Sequence, residues 1–481
     1  MAGAVALQRR GRGESDARTA TATGPTSGIA TNRARRTAEL AKIGARAGSN
    51  FVEMKARGAL ASEERREELR AEFELRSAEQ VAETLGNMKG AMMKLGQMAS
   101  YLDQGLPEPV RDALAQLQAD APPMSYELVE QVVRDELGGS PDEVFARFDP
   151  VPIASASIGQ VHRGRTHDGR EVAIKVQYPG VGEAVAADLG NTDLLFQMMG
   201  MLFPGMDPGP IVEEITVRLV EELDYSLEAD NQRLFADAYR GHPYIHVPEV
   251  VDELCTQRIL TTEFAEGARF SEVVEWSDEE RQLTAETLYR FAFGGIYRLH
   301  AFNGDPHPGN YVFRPGGQVT FLDFGLCKRF TPDEVIVFED MIRAIVLDRD
   351  IEGFKAVVER IGILPPGLDI DDELLADYFG HFYEFVMDDV EMEITPEYSS
   401  ESVRRFFDLS SPHAEVMKQA NLPGSMVIVQ RINLGLYALF GDLKARANWR
   451  RIAEELWPFV DAGPSTPMGE RIAEWEAARS N

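Results

Sequence analysis

Cysteine is nearly absent: Cys255 and Cys327 are the only two among 481 residues. That scarcity rules out a disulfide framework and a thiolate zinc site, and it points to a reducing compartment. Basic residues are also in deficit. Lys and Arg number 49 against 79 Asp and Glu, for a formal net charge of −30. This argues against nucleic acid as the main partner, because phosphate backbones are held by clustered Lys and Arg. Broad contact with an anionic membrane is disfavoured for the same reason. Long apolar runs are missing too. No stretch reaches the roughly 18 residues a membrane-crossing helix needs; Phe196–Phe203 and Val335–Leu347 are short or interrupted by charge. The N-terminus lacks the apolar core of a signal peptide. What remains is a chain of ordinary globular composition, long enough for two or three domains.

The richest stretch runs from Asn303 to Gly325. It holds Asp305, then Asn310 in a D-x-x-x-x-N spacing, then Asp323 in Asp-Phe-Gly. Tyr311-Val-Phe and Val319–Leu322 read as β runs joined by the turn Arg314-Pro-Gly-Gly. Such a hairpin is expected to carry Asn310 and Asp323 on adjacent strands, with Asp305 just before them. An amide beside a carboxylate suits Mg²⁺, which takes oxygen ligands and shares them with phosphates. The remaining carboxylate can orient or deprotonate an attacking hydroxyl. This is the layout of a protein-kinase catalytic loop followed by its metal-binding Asp-Phe-Gly.

A second stretch agrees with the first. Ala154-Ser155-Ala156-Ser157-Ile158-Gly159 is a run of small residues, followed by an Asp168-Gly169 turn and by Val172-Ala-Ile-Lys175. Small side chains let backbone N–H groups approach a phosphate, and Lys175 adds a point charge. The loop alone is a weak signal. Joined to a hairpin and the kinase strand tetrapeptide it is much stronger. A long helix is expected over Ile211–Phe235, carrying Glu221, Glu222, Asp224 and Glu228. Kinase logic asks one helix acid to hold the strand lysine. Strands are expected over Tyr244–Pro248, Glu249–Asp252 and Arg258–Phe264. Glu263 to Gly267 reads as a hinge whose backbone, from Glu263 to Ala265, should bind adenine. Helices are expected over Arg281–Ala301 and Thr331–Leu347.

The N-terminal part reads differently. Residues 1–50 form a basic tail of disordered composition, with a mitochondrial presequence as the alternative reading. From 51 to 150 the pattern is helical: Val81, Leu85, Met88, Met92, Leu95, Ala99 and Leu102 make one apolar face. A further helix is expected between Ser125 and Gly138. His162, His300 and His307 resemble a metal cluster on paper, but their spacing fits no zinc pattern.

Together these motifs resemble the UbiB branch of atypical protein-kinase-like proteins, the aarF-domain-containing (ADCK) kinases. Lys94-Leu-Gly-Gln97 is similar to the K-x-G-Q signature, and Ala154–His162 to the Ala-rich loop that replaces a kinase Gly-rich loop. Glu222-Leu-Asp224 is similar to the E-x-D motif, and Glu228 to the acid that pairs with the strand lysine, here Lys175. The resemblance implies an α+β, two-lobed kinase-like fold. Its parts would be a K-x-G-Q extension at 51–150, an N-lobe at 151–264 and a mostly helical C-lobe at 265–481. It implies Mg²⁺ with ATP or ADP, held by Asn310 and Asp323, and Asp305 as catalytic base. Lys94 would pack over the site against Glu222, occluding a peptide substrate and favouring ATPase or small-molecule kinase activity. Isoprenoid lipids or the enzymes that make them, ubiquinone included, are the implied partners, in the cytoplasm or peripherally at a membrane. The loop departs from the family by reading Ala-Ser-Ala-Ser where many relatives have consecutive alanines.

Three other readings compete. A Ser/Thr protein kinase would carry His-Arg before Asp305 and Ala-Pro-Glu after Asp323, and neither is present. A nucleotide-dependent scaffold would need no turnover. An antibiotic-type phosphotransferase shares the fold logic without Lys94-Leu-Gly-Gln97.

Overall fold

The computed structural model describes residues 124–156, 158–182, 217, 220–304, 306–368, 370–407, 413, 416, 419–420 and 424–479. Lys94, Ser157 and Asp305 therefore lie outside the described residues, as does everything before 124.

Helix α1 (Tyr126–Leu137) starts after Ser125 and stops at Gly138, whose φ of 77° is the left-handed conformation that glycine adopts without penalty. The short helix α2 (Pro141–Val144) follows, closed by a Ser140–Glu143 capping box. Next comes a five-stranded antiparallel sheet of β1 (Arg147–Phe148), β2 (Ala154–Ala156), β3 (Gly159–Arg165), β4 (Glu171–Gln177) and β6 (Ile259–Glu263). Val172, Ile174 and Val176 alternate along β4 and bury against Val129, Val132 and Val133 of α1. The period of two then turns Lys175 to the opposite face. There lies α3 (Tyr225–Ala238), packed through Tyr225 and Ala229 against Ile158 and Leu260. The boundary drawn from sequence at 150/151 falls inside this unit, because α1 and β1 belong to it.

The long helix expected over Ile211–Phe235 is interrupted. Asp224 is extended at φ −120° and ψ 95°, and its side chain accepts the Ser226 N–H as the N-cap of a new helix. The Tyr225 N–H is drawn away to the Gln257 carbonyl. A turn residue that satisfies orphan amides locally competes with helix continuation. The strand expected over Glu249–Asp252 is also lost: Val250 makes an isolated bridge to Thr262, and Asp252–Leu254 is a 3₁₀ turn.

Beyond β6 the chain is mainly helical. After the short helix α4 (Phe270–Val273), helix α5 (Asp278–Leu299), capped by Ser277, runs through the largest core. Its end is marked by His300 in the left-handed conformation, and the chain turns into β7 (Ala301–Asn303). A hairpin of β8 (Tyr311–Arg314) and β9 (Gln318–Phe321) follows, turned by Gly316 and Gly317 at φ 80° and 73°. β5 (Ile245–His246) adds to β9 in parallel, and β10 (Cys327–Arg329) pairs back onto β7. Helix α6 (Pro332–Ile342) passes into a π turn over Arg343–Leu347. Further helices are α7 (Ile351–Arg360), α8 (Asp372–Gly380), α9 (Glu384–Met387), α10 (Pro396–Phe407), α11 (Gly424–Leu443), α12 (Trp449–Leu456) and α13 (Pro467–Arg479), with a small β11 (Met392–Glu393) and β12 (Arg446–Ala447) pair among them. Among the described residues no helix is long and apolar enough to cross a membrane.

Candidate active site

α3 contributes to two hydrophobic clusters. Its first turns pack under the five-stranded sheet, while Phe235 and Ala236 enter the large helical core. Glu228 stands on the sheet-facing side, 5% exposed. Lys175 reaches it from β4 with both carboxylate oxygens engaged, at 2.9 and 2.8 Å. The same ammonium lies 3.4 Å from Asp323 Oδ2. Three separate elements thus meet at one cation.

Asp323 is fixed by its own surroundings. Its Oδ1 accepts the Gly325 N–H at 3.0 Å, and its carbonyl accepts from Asn303 Nδ2 at 2.8 Å. Phe324 is fully buried, its ring 5.1 Å from that of Phe235 on α3. Asn231, one turn beyond Glu228, donates to the Phe324 carbonyl at 3.2 Å. Asn310 ends the 3₁₀ turn Pro308–Asn310, and its carbonyl accepts from Leu322 N–H at 2.9 Å. Asn310 and Asp323 therefore flank the open end of the hairpin rather than sitting on its strands, which stop at Tyr311 and Phe321. The catalytic-base candidate, Asp305, lies outside the described residues.

The electrostatics follow from this crowding. Burial opposes the Lys175 charge, but Asp323 and Glu228 outweigh it and hold the ammonium well above its usual range. Burial pushes Glu228 up to about 7; Lys175 pulls it down, while Asp323 and Glu222 push it further up. Glu222 is half-buried in the turn before α3 and acts on both Glu228 and Tyr225. Its expected partner Lys94 is not among the described residues.

Ala154, Ser155 and Ala156 form β2, turning back on β3 with Ala156 opposite Gly159. Ala154 and Ser155 are exposed. Ile158 is different: its side chain is 3% exposed in the cluster beneath the turn, and its carbonyl accepts from Tyr178 N–H at 2.8 Å. Only its N–H remains for a ligand. A side chain at Gly159 would collide with the Val176 carbonyl, so close strand approach explains this glycine. The hinge expectation is corrected in part. The Glu263 N–H donates to the Glu249 carbonyl at 2.8 Å, and the Phe264 N–H to the Glu171 carbonyl at 3.0 Å. Both amides are thus committed to the protein, which leaves the carbonyls of this segment and the backbone from Ala265 onward for a ligand edge.

The three histidines serve structure. His162 is fully buried, stacked on Phe148 and bonded to Gln160 and the Asp149 carbonyl, and burial lowers its pKa. His300 ends α5, and His307 caps the turn before Asn310. Among the described residues no three His, Cys, Asp or Glu side chains converge as a metal cage. An amide and a carboxylate flanking one hairpin nevertheless fit Mg²⁺, which retains water and takes phosphate oxygens instead of filling its shell from protein.

Sequence reasoning passed over Tyr225, Asn231 and Asn303. The first two were findable, since they lie three residues either side of Glu228 and share its helix face. Asn303 was not, because its role depends on β7 lying beside the chain at Asp323.

A lysine bound to a helix glutamate and to the aspartate of Asp-Phe-Gly defines a kinase-like protein. The ABC1 atypical kinase-like domain matches residues 116–358, and the chain belongs to that family, which is the UbiB/ADCK group. Among curated relatives, the mouse AarF domain-containing protein kinase 1 is 31% identical over 61% of this chain and 57% of its own length. The rat atypical kinase COQ8B, mitochondrial, is 32% identical over 56% of this chain and 51% of its own. The chain spans about half the length of these two relatives. A solved structure, Rv3197 of Mycobacterium tuberculosis in complex with erythromycin, is 31% identical with a TM-score of 0.58, covering 82% of this chain and 98% of that one.

Proposed function

We propose that the chain is an atypical kinase or ATPase that binds Mg²⁺ with ATP or ADP and supports quinone or other isoprenoid-lipid biosynthesis. The observation that carries this reading is the contact of Lys175 with both Glu228 and Asp323. Lys175 would hold the α- and β-phosphates, fixed by Glu228. The Ala154–Gly159 turn would cover them with its N–H groups, and adenine would lie along the backbone from Ala265. Mg²⁺ between Asn310 and Asp323 would neutralise phosphate charge during transfer. Asp305 would orient or deprotonate the acceptor, and Lys94 would pair with Glu222 over the site. The two-lobed arrangement, with the K-x-G-Q helices as an N-terminal extension, belongs to this reading. So do a cytoplasmic location and peripheral contact with a lipid surface.

One observation favours ATPase or small-molecule kinase over protein kinase. Directly after Gly325 the chain enters β10, pairs back onto β7 and starts α6 at Pro332. That leaves no long activation segment on which a peptide could dock.

The test is thermal unfolding with Mg²⁺–ATP, Mg²⁺–ADP or neither, beside Asp323→Asn. A ligand bound only to the folded state at a hundredfold excess over Kd adds about 2.7 kcal/mol. The expected result is a metal-dependent rise in the wild type that Asp323→Asn loses. No rise with either nucleotide would sink the reading.

A further inference from the structure

The first residue of α3 has no part in the kinase-like layout, yet it sits at the centre of the site. Tyr225 is 2% exposed. Lys175 Nζ lies 5.0 Å above the centre of its ring. Its hydroxyl is buried with no hydrogen-bond partner among the described residues. A buried hydroxyl without a partner is costly, and phenylalanine would fill the same space without that cost. An orphan of this kind in a folded protein calls for an explanation.

Its position supplies one. A Cβ placed on Gly159 would come within 2.8 Å of the hydroxyl oxygen. The O–H therefore lies against the residue that closes the Ala154–Ile158 turn. Lys175, Glu228, Glu222 and Asp323 all act on it electrostatically. The ring thus lies under the lysine while its hydroxyl reaches the end of the small-residue turn, and these are the two groups expected to hold phosphate. We propose that Tyr225 donates a hydrogen bond to a phosphate oxygen of the bound nucleotide, making it a further binding residue for the polyphosphate rather than the nucleoside. This rests on the nucleotide-site reading above. The phenol is suited to donate, since burial, helped by the neighbouring carboxylates against Lys175, raises its pKa far above any working pH. It remains an O–H beside a phosphate anion, and hydrogen bonds with one charged partner are the strong ones.

The experiment uses the full chain as wild type, Tyr225→Phe and Asp323→Asn. Binding of Mg²⁺–ADP and Mg²⁺–ATP is measured by calorimetry, binding of adenosine by ligand-observed NMR, and unfolding temperature without ligand. Tyr225→Phe is expected to melt at or above the wild-type temperature when unliganded. It should bind both nucleotides roughly tenfold to a hundredfold more weakly, with adenosine unchanged. Equal nucleotide affinity in Tyr225→Phe would overturn the proposal. So would a Phe chain that melts lower with unchanged affinity, or that fails to fold, because the hydroxyl would then serve a neighbouring side chain. Wild type that binds no Mg²⁺–nucleotide removes the site itself, and that result is distinct because all three chains would behave alike.

Discussion

Two buried ionic clusters can be set side by side. At the candidate site Lys175 meets Glu228 and Asp323. On α5, Arg290 meets Glu286 at 2.8 Å and Glu455 at 2.9 Å, with Thr466 accepting from the third guanidinium nitrogen at 3.1 Å. Each is one cation between two carboxylates drawn from different elements. They differ in completeness. Every nitrogen of Arg290 has an acceptor, and the cluster bolts α12 and the start of α13 onto α5. The lysine cluster leaves the Tyr225 hydroxyl unpartnered among the described residues, and the side chain of Asp323 is 32% exposed. Satisfied networks specify structure, whereas incomplete ones mark places where something is still to bind.

The sharpest way to break this comparison is Arg290→Met. It leaves Glu286 and Glu455 buried with no cation between them, and removing one member of a buried pair costs about 3–5 kcal/mol. Denaturant unfolding should register that loss. A loss under about 1 kcal/mol would mean that the arginine cluster is no bolt.

Acid should attack the same side of the molecule next. His242 accepts the N–H groups of Tyr244 and Ile245 on Nδ1, and its ring meets Trp475 of α13 edge-on at 4.6 Å. Burial, with the charges of Arg298, Arg290 and Arg479, lowers its pKa from 6.5 to about 3. The unfolded chain therefore takes up the proton first, and stability is lost as pH falls below 6.5 toward 3. Between pH 6.5 and about pH 5 this amounts to roughly 2 kcal/mol. His242→Gln, which keeps an acceptor but cannot titrate, should lose about that much less than wild type over the same interval. Parallel stability curves would refute the assignment.

Lys175→Met should behave unlike Arg290→Met. Glu228, already pushed up to about 7 by burial, can take a proton instead of remaining charged. Unliganded stability should drop by about 1–2 kcal/mol near neutral pH, less than a locked pair would lose. The nucleotide-induced rise in melting temperature should vanish altogether. A variant as unstable as Arg290→Met would make the two clusters equivalent and remove the contrast.

The lysine cluster was legible from the chain and the arginine cluster was not. Val172-Ala-Ile-Lys175 and Asp323-Phe-Gly are local strings whose chemistry travels with their spacing. The choice of Glu228 from among the helix acids came from resemblance, because solvated glutamates look alike in sequence. Arg290 is far along the chain from Glu455 and Thr466 and the three have no motif, so only the packing of α12 and the start of α13 on α5 unites them. Turns were read well where glycine or proline dictated them, at Gly138 and at Gly316-Gly317. They were missed where a side chain took over a backbone amide, as at Asp224. The pairing of the Glu263 and Phe264 N–H groups was hidden for a related reason: their partners at Glu249 and Glu171 come from neighbouring segments, not from the hinge itself.

The smallest expected effect tests whether the two regions communicate. α3 carries Glu228 near its start and has no basic residue in its last turn. The cation there comes from α13: Arg479 donates to the Ala238 carbonyl at 2.7 Å and to the Asp237 carbonyl at 3.2 Å. A cation at a helix C-terminus contributes about 0.3–1 kcal/mol, and exposure to solvent keeps Arg479 toward the low end. Arg479→Ala should therefore cost about half a kcal/mol or less. Its combination with Lys175→Met should be additive within roughly 0.5 kcal/mol, as expected for sites that share no contact. A double-mutant coupling above about 1 kcal/mol would show that α3 moves as one rigid lever. The C-terminal helix would then help set the position of Glu228, and the satisfied region would act on the unsatisfied one instead of merely standing beside it.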